Sequence, residues 1–239
     1  LWIRQDQKHE LIKECRELLS HPWDLSPREA FGVQSGLAAQ VERRPRLGRV
    51  CRVAGIDVSI RDDVARAAVV VLDSEQLTPV SYALATRPVT FPYVPGLLAF
   101  REGPVVLDAL EQLDAMPDLL IFDGHGLAHP RRLGIASHIG LLVDMPTIGC
   151  AKSRLCGWHD EPGQERGSYV FLADDGEVIG AVLRTRQNVK PVYVSIGHRV
   201  DLATSIEHVL ACCRGYRLPE TTRWAHRVAG GAKPSIYDR

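Results

Sequence analysis

Three β-rich runs follow one another closely: Arg52 to Ile60 (RVAGIDVSI), Ala65 to Leu72 (ARAAVVVL) and Pro79 to Thr86 (PVSYALAT). The joints between them are short and polar, Arg61-Asp62-Asp63 and Asp73-Ser74-Glu75. A parallel return needs a crossover of about a dozen residues or more, so joints this short impose antiparallel neighbours. The chain then changes texture. A helical segment is predicted over 97–115, with a break at Gly103-Pro104. Asp118 to Asp123 (DLLIFD) is a short continuous apolar run, the pattern of a strand buried on both faces. A helix over Leu133 to Val143 and a short strand over Pro146 to Cys150 follow. Further strands are expected near 168–172, 178–184 and 191–196, and helices near 201–213 and 220–229. A meander followed by helix–strand units implies an α/β fold, a mixed sheet flanked by helices in a single domain.

Ahead of the meander, Leu11, Ile12, Leu18 and Leu19 recur at helical spacing within residues 6–20. Ser26-Pro27-Arg28-Glu29 then reads as a capping box with proline at the first helical position, opening a helix over 27–44. The expected division is an N-terminal helical extension over 1–25, one domain over 26–230 and a tail over 231–239.

Charge narrows the functional classes. The chain of 239 residues has 29 Lys+Arg against 29 Asp+Glu, a formal net charge of +0. A polybasic binder working by bulk attraction to phosphate is excluded. An enzyme with a locally charged nucleic-acid cleft is not. No run approaches the roughly 18 uncharged apolar residues of a membrane span. The opening LWIRQDQKHELIKEC has no uninterrupted apolar core of the secretory kind. The six cysteines form no CxxC pair, so idle thiols and a cytoplasmic setting are expected.

Some carboxylates are oddly placed. Asp57 lies within the first β-run, between Ile56 and Val58. An ionised carboxylate in a sheet interior costs several kcal/mol unless it is paired or holds a metal. Asp123 ends the buried fourth run, at the end of a strand where open α/β sheets bind ligands. Glu102 falls on the helix entered from the proline-rich loop PVTFPYVPG. Two strand aspartates and a helix glutamate are an oxygen-rich set suited to Mg²⁺ or Mn²⁺. Periodicity alone does not show that they converge, and each has an ordinary structural explanation as a turn former or a solvated residue.

Asp123 also opens the segment DGHGLAHPRR, dense in glycine, histidine and arginine. Its glycines admit close approach to a ligand, and Arg131 and Arg132 have the geometry to grip phosphate. Lys152 follows the short strand, where a cation near phosphate would stabilise charge, and His226 lies in TTRWAH.

Together these pieces resemble the endonuclease V family, the deoxyinosine 3′ endonucleases, in its bacterial style. The matching segments are GIDVSI (55–60), PYVPGLLAFREGP (92–104), LLIFDGHGLAHPRRLGIASHIGLLVDMPTIGCAKSRLCG (119–157), GHRV (197–200) and YRLPETTRWAH (216–226). The resemblance implies an RNase H-like fold built on a mixed five-stranded sheet. It implies Mg²⁺-dependent hydrolysis, with Mn²⁺ as the alternative ion, of the second phosphodiester 3′ to hypoxanthine in DNA. The products would be a 3′-hydroxyl and a 5′-phosphate.

By the same resemblance Asp57, Asp123, Glu102 and His226 would form the metal and water site, and Lys152 would meet the cleaved phosphate or the attacking water. Pro92, Tyr93, Val94 and Pro95 would be the wedge that replaces the flipped base. Gly96, Leu98, Gly124 and Ile135, near His129, would line the base pocket. Arg131 and Arg132, with Arg199 and Arg223, would contact phosphates. A monomer acting on deoxyinosine-containing DNA is expected, with inosine-containing RNA as a second substrate. The alternatives are another RNase H-like nuclease, such as a junction resolvase, and a non-catalytic reader of damaged nucleic acid.

Overall fold

The computed structural model describes residues 21–236. The helix expected over 6–20 lies outside the described residues. Residues 21–25 are an irregular strap rather than helix, with Trp23 packed against the apolar cluster around Phe100. Helix α1 (Pro27–Leu37) begins with the expected capping box: Ser26 Oγ accepts from the Glu29 amide, and Glu29 reaches back to the Ser26 amide at 2.8 Å. It ends earlier than its propensity suggests. After a 3₁₀ turn over Ala38–Gln40, the backbone is drawn off to the end of another strand. There Glu42 N–H donates to His198 Nδ1 and Arg199 N–H to Glu42 O.

The meander forms as read: β1 (Arg52–Arg61), β2 (Val64–Asp73) and β3 (Pro79–Pro88) are successive antiparallel neighbours. Helix α2 (Leu98–Glu111) runs straight through the break expected at Gly103-Pro104. A proline ring clashes with the residue before it mainly through that residue's Cβ, and Gly103 has none. The ring of Trp23 occupies the space, 2.9 Å from where a Cβ would stand. Strand β4 (Leu119–Phe122), helix α3 (Ile135–Leu142) and strand β5 (Thr147–Ala151) follow. Then come β6 (Tyr169–Asp174), β7 (Glu177–Leu183), β8 (Val192–His198), α4 (Leu202–Ala211) and α5 (Glu220–Ala229).

The sheet has eight strands, in the order β3-β2-β1-β4-β5-β8-β7-β6. β1, β4 and β5 are parallel and the other pairings antiparallel. The expected five-stranded mixed sheet is therefore the β3-to-β5 half. The open edge of β5 is taken up by β8, and the β6–β7 hairpin carries the sheet two strands further. One face is covered by α2 and α3, over Ala54, Ile56, Leu120 and Phe122. The other is covered by α4 and α5, over Val53, Ile121, Ile148 and Val194. Among the described residues no helix is long and apolar enough to cross a membrane, and the five cysteines there are free.

Candidate active site

The register of the parallel strands brings the two aspartates together. Ile56 pairs with Phe122, so the next residue on each strand, Asp57 and Asp123, stand side by side. The Asp123 amide donates to Ile56 O at 3.1 Å, which fixes that alignment. Asp57 is in mid-strand by sequence, but its parallel neighbour β4 stops there. Its carboxylate faces the cleft beyond β4, and its side chain is 14% exposed. This is why a mid-strand carboxylate is tolerated.

Helix α5 completes one wall. It lies directly on β1 because Gly55 has no side chain: a Cβ there would stand 1.9 Å from Thr221 O. That close approach sets His226 Nδ1 2.8 Å from Asp57 Oδ2. Across the site Lys152 Nζ is ion-paired with Asp123 Oδ2. The Lys152 carbonyl is itself held by the Arg217 guanidinium. Glu102 approaches from α2.

The charges here oppose one another. Burial first, and then the neighbouring Asp123, raise the Asp57 carboxyl above its ordinary range, with His226 pulling it back. Burial and the charges of Asp57 and Asp123 push Glu102 up to about 8, against a smaller opposing effect of Arg101. Three carboxyl groups crowded in a half-buried cleft are unfavourable unless positive charge enters. Among the described residues no three ligating side chains are already gathered as a ready-made metal centre. Asp57 and Asp123 instead hold His226 and Lys152. An all-oxygen set with an unfavourable negative field suits a hard divalent cation, and the residues fit one.

A cavity of about 310 Å³ adjoins the acidic cluster. It is walled by Gly96, Leu98, Gly124, His129 and Ile135 and rimmed by Tyr93, Val94 and Pro95. It shares Asp123 and Lys152 with the acidic site. Such a volume is typical of small-molecule sites, which span about 300–1,000 Å³. In the rim loop Val94 packs inward with Phe91 and Leu97, whereas Tyr93 is 71% exposed. A large aromatic held out in solvent beside a pocket is what a wedge requires.

The geometry brings the acidic set, the wedge and the pocket residues to one cleft. The arginines expected at phosphates all have protein partners. Arg132 bonds Asp174 Oδ2 at 2.9 Å and Glu177 Oε2 at 2.6 Å. Arg131 lies behind the pocket, bonded to Gln34 Oε1 at 2.5 Å and Gly96 O at 2.9 Å, and stacks over Phe31. Arg199 is paired with Asp144, and Arg223 with Glu220. These guanidiniums are part-buried, and their partners are carboxylates, amide oxygens and backbone carbonyls of the protein. Arg154 is the arginine that lines the pocket.

Sequence reasoning missed two residues. His125 was noted only as part of a dense loop. It lines the pocket, and its Nε2–H donates to Ser153 O at 3.0 Å, tying the loop after β4 to the loop after β5. Gln34 was not singled out, yet it is 1% exposed and reaches the pocket from α1. The available signal was a polar residue four positions after Ala30, on the buried stripe of that helix.

Residues 35–227 match the model of the family described as Endonuclease V. The chain belongs to the endonuclease V family. The Roseiflexus sp. (strain RS-1) endonuclease V is 55% identical over 208 residues, which is 87% of this chain and 94% of that protein. The crystal structure of endonuclease V from Streptomyces avermitilis superposes with a TM-score of 0.83 at 47% identity, covering 87% of this chain and 93% of that one. The Ciona intestinalis endonuclease V, solved with a 23mer DNA containing an inosine followed by a ribo-adenosine, superposes with a TM-score of 0.76 at 27% identity. That match covers 86% of this chain and 97% of the Ciona chain. The protein is thus a nuclease of the α/β class.

Proposed function

We propose that this endonuclease V is a divalent-metal-dependent enzyme that takes hypoxanthine out of the DNA stack. It then hydrolyses the second phosphodiester 3′ to that base, leaving a 3′-hydroxyl and a 5′-phosphate. One observation carries the reading: the pocket and the acidic cluster share residues along the chain. Asp123 belongs to the acidic site and Gly124 to the pocket wall, and Lys152 and Ser153 are likewise consecutive. A nucleotide seated in the pocket is therefore held at a fixed offset from the carboxylates.

Each residue then has a task. Asp57, Asp123 and Glu102 would hold Mg²⁺, with Mn²⁺ as a substitute, and His226 would complete the site. The cation, when bound, supplies charge neutralisation at the scissile phosphate and makes water a better nucleophile. Lys152 offers a point charge to the phosphate or orients the water. Tyr93 stacks in the gap that the flipped base leaves, offsetting part of the few kcal/mol of unstacking. The pocket reads hypoxanthine through backbone groups, since its O6 accepts where the adenine amino group donates.

The Ciona relative was solved on DNA with a ribose sugar just 3′ of its inosine. Inosine-containing RNA is therefore the second substrate class to test. The test of catalysis is nicking of a duplex with one deoxyinosine, with Mg²⁺ and with chelator. Asp57→Ala and Asp123→Ala should abolish it at unchanged stability. Full-strength binding with no product across Mg²⁺ and Mn²⁺ titrations would point instead to a non-catalytic reader.

A further inference from the structure

Three side chains converge on one backbone oxygen in the pocket wall. Gly96 O accepts from Gln34 Nε2 at 3.0 Å, His129 Nε2 at 2.8 Å and Arg131 Nη2 at 2.9 Å. The donors are oriented without ambiguity. Gln34 Nε2 also donates to Leu133 O at 3.0 Å, while its Oε1 accepts from Arg131 Nε, so the amide cannot be turned round. His129 Nδ1 accepts from the Arg131 amide, which leaves its proton on Nε2. Burial pulls the His129 imidazole down to about 4, so it stays neutral and keeps that single donor.

A carbonyl has two lone pairs, and three donors leave it no capacity for a ligand. Gly96 sits at φ +79, where residues with a side chain are strained, so its peptide could otherwise turn readily. With this oxygen taken up by three side chains it is closed to a ligand, while Gly96 and Leu98 still line the pocket with their N–H groups. Leu98 opens α2, whose start has no side-chain cap, so its amide is one of the first-turn N–H groups with no partner within the helix.

We infer that Gln34 is a specificity-determining positioning residue: by occupying the Gly96 carbonyl, with His129 and Arg131, it leaves this wall its N–H donors, which accept a 6-oxo purine and reject a 6-amino one. A free Gly96 oxygen would be an acceptor for the adenine amino group. This rests on the proposed reading of the pocket as the hypoxanthine site. Gln34 touches neither the cleaved phosphate nor the carboxylates, so its effect falls on base selection and not on the hydrolytic step.

The test compares Gln34→Met with the unaltered protein on duplexes that differ only in inosine or adenine at one position. Folding is checked by thermal denaturation. Leaving buried partners unsatisfied costs about 1–3 kcal/mol, so KM for the inosine duplex should rise and the inosine-to-adenine preference should fall about 10- to 100-fold. The kcat on inosine should stay within about threefold, because the interaction is not confined to the transition state. Should Gln34→Met not fold, Arg131→Lys keeps the charge but cannot span both Gln34 and Gly96, and must lower the preference in the same direction. An unchanged preference in a folded variant, or an equal fall of kcat on both duplexes, overturns the inference. Failure of the unaltered protein to cut the inosine duplex would overturn the functional reading instead.

Discussion

His226 Nδ1 lies 2.8 Å from Asp57 Oδ2, joining helix α5 to strand β1 across 169 positions of sequence. The carboxylate is sheltered and the imidazole is not: their side chains are 14% and 69% exposed. The contact depends on the depth at which the helix sits, and so on Gly55. The histidine contributes little to the core and is placed to serve the site.

His226→Ala should therefore leave stability within about 0.5 kcal/mol, as is usual for exposed positions. Loss of a positioned acid–base or ligand group should lower the single-turnover cleavage rate about 10²- to 10⁴-fold. A mobility shift with inosine duplex should move little. Rate and binding falling together would assign His226 to substrate binding.

Gly55→Ala should act on the same contact from inside. The added methyl would stand 1.9 Å from Thr221 O, a backbone atom that cannot swing aside. Overpacking of this kind costs about 1–3 kcal/mol. Urea unfolding should show that loss, and cleavage should fall as α5 is lifted and His226 withdrawn from Asp57.

Tyr93→Ala should separate binding from folding. The ring is 71% exposed, so the unfolding midpoint should hold. Losing a stack worth about 1–3 kcal/mol should weaken binding of the inosine duplex about 5- to 150-fold. Binding of undamaged duplex should change less. Equal effects on both duplexes would remove the wedge from the account.

Two buried histidines should make the fold sensitive to acid below about pH 6.5. His138 is fully buried and lowered to about 3 by burial, with its neighbours His21 and His129 adding to the effect, and His129 is lowered to about 4. In the unfolded chain both titrate near the ordinary histidine value of about 6.5. The unfolded state therefore binds more protons below that pH, and stability present above it is lost as pH falls toward the folded values. Glu102, raised to about 8, acts in the opposite direction over this range, so the histidine contribution is read by difference in urea unfolding: between pH 7.5 and pH 5 it amounts to about 1.4 kcal/mol per pH unit below 6.5 for each group. His138→Phe should flatten the dependence.

The meander and the acidic residues were legible because their signals are local. Short joints fix antiparallel pairing, and Asp57 conflicts with the strand around it. The length of α1 was not legible, because tertiary bonds from Glu42 and Arg46 to the end of β8 overrule helix propensity after Gln40. Pro104 misled because its accommodation depends on Gly103 and on a tryptophan 81 positions earlier in the chain. The arginines misled for a related reason. A sequence shows a cation but not the Glu177 or Asp174 that receives it. Gln34 was silent, since one glutamine on a helix says nothing until the carbonyl it faces is known.

The central claim is that one pocket and one acidic cluster act as a unit at a fixed offset. It is tested by end-labelled duplexes, identical but for one deoxyinosine, cut with Mg²⁺ and mapped to the nucleotide with the end groups identified. The account predicts a single nick at the second phosphodiester 3′ to the inosine, with 3′-hydroxyl and 5′-phosphate ends and far slower cutting of the undamaged duplex. Equal cutting of both duplexes, or nicks scattered without regard to the inosine, would contradict it.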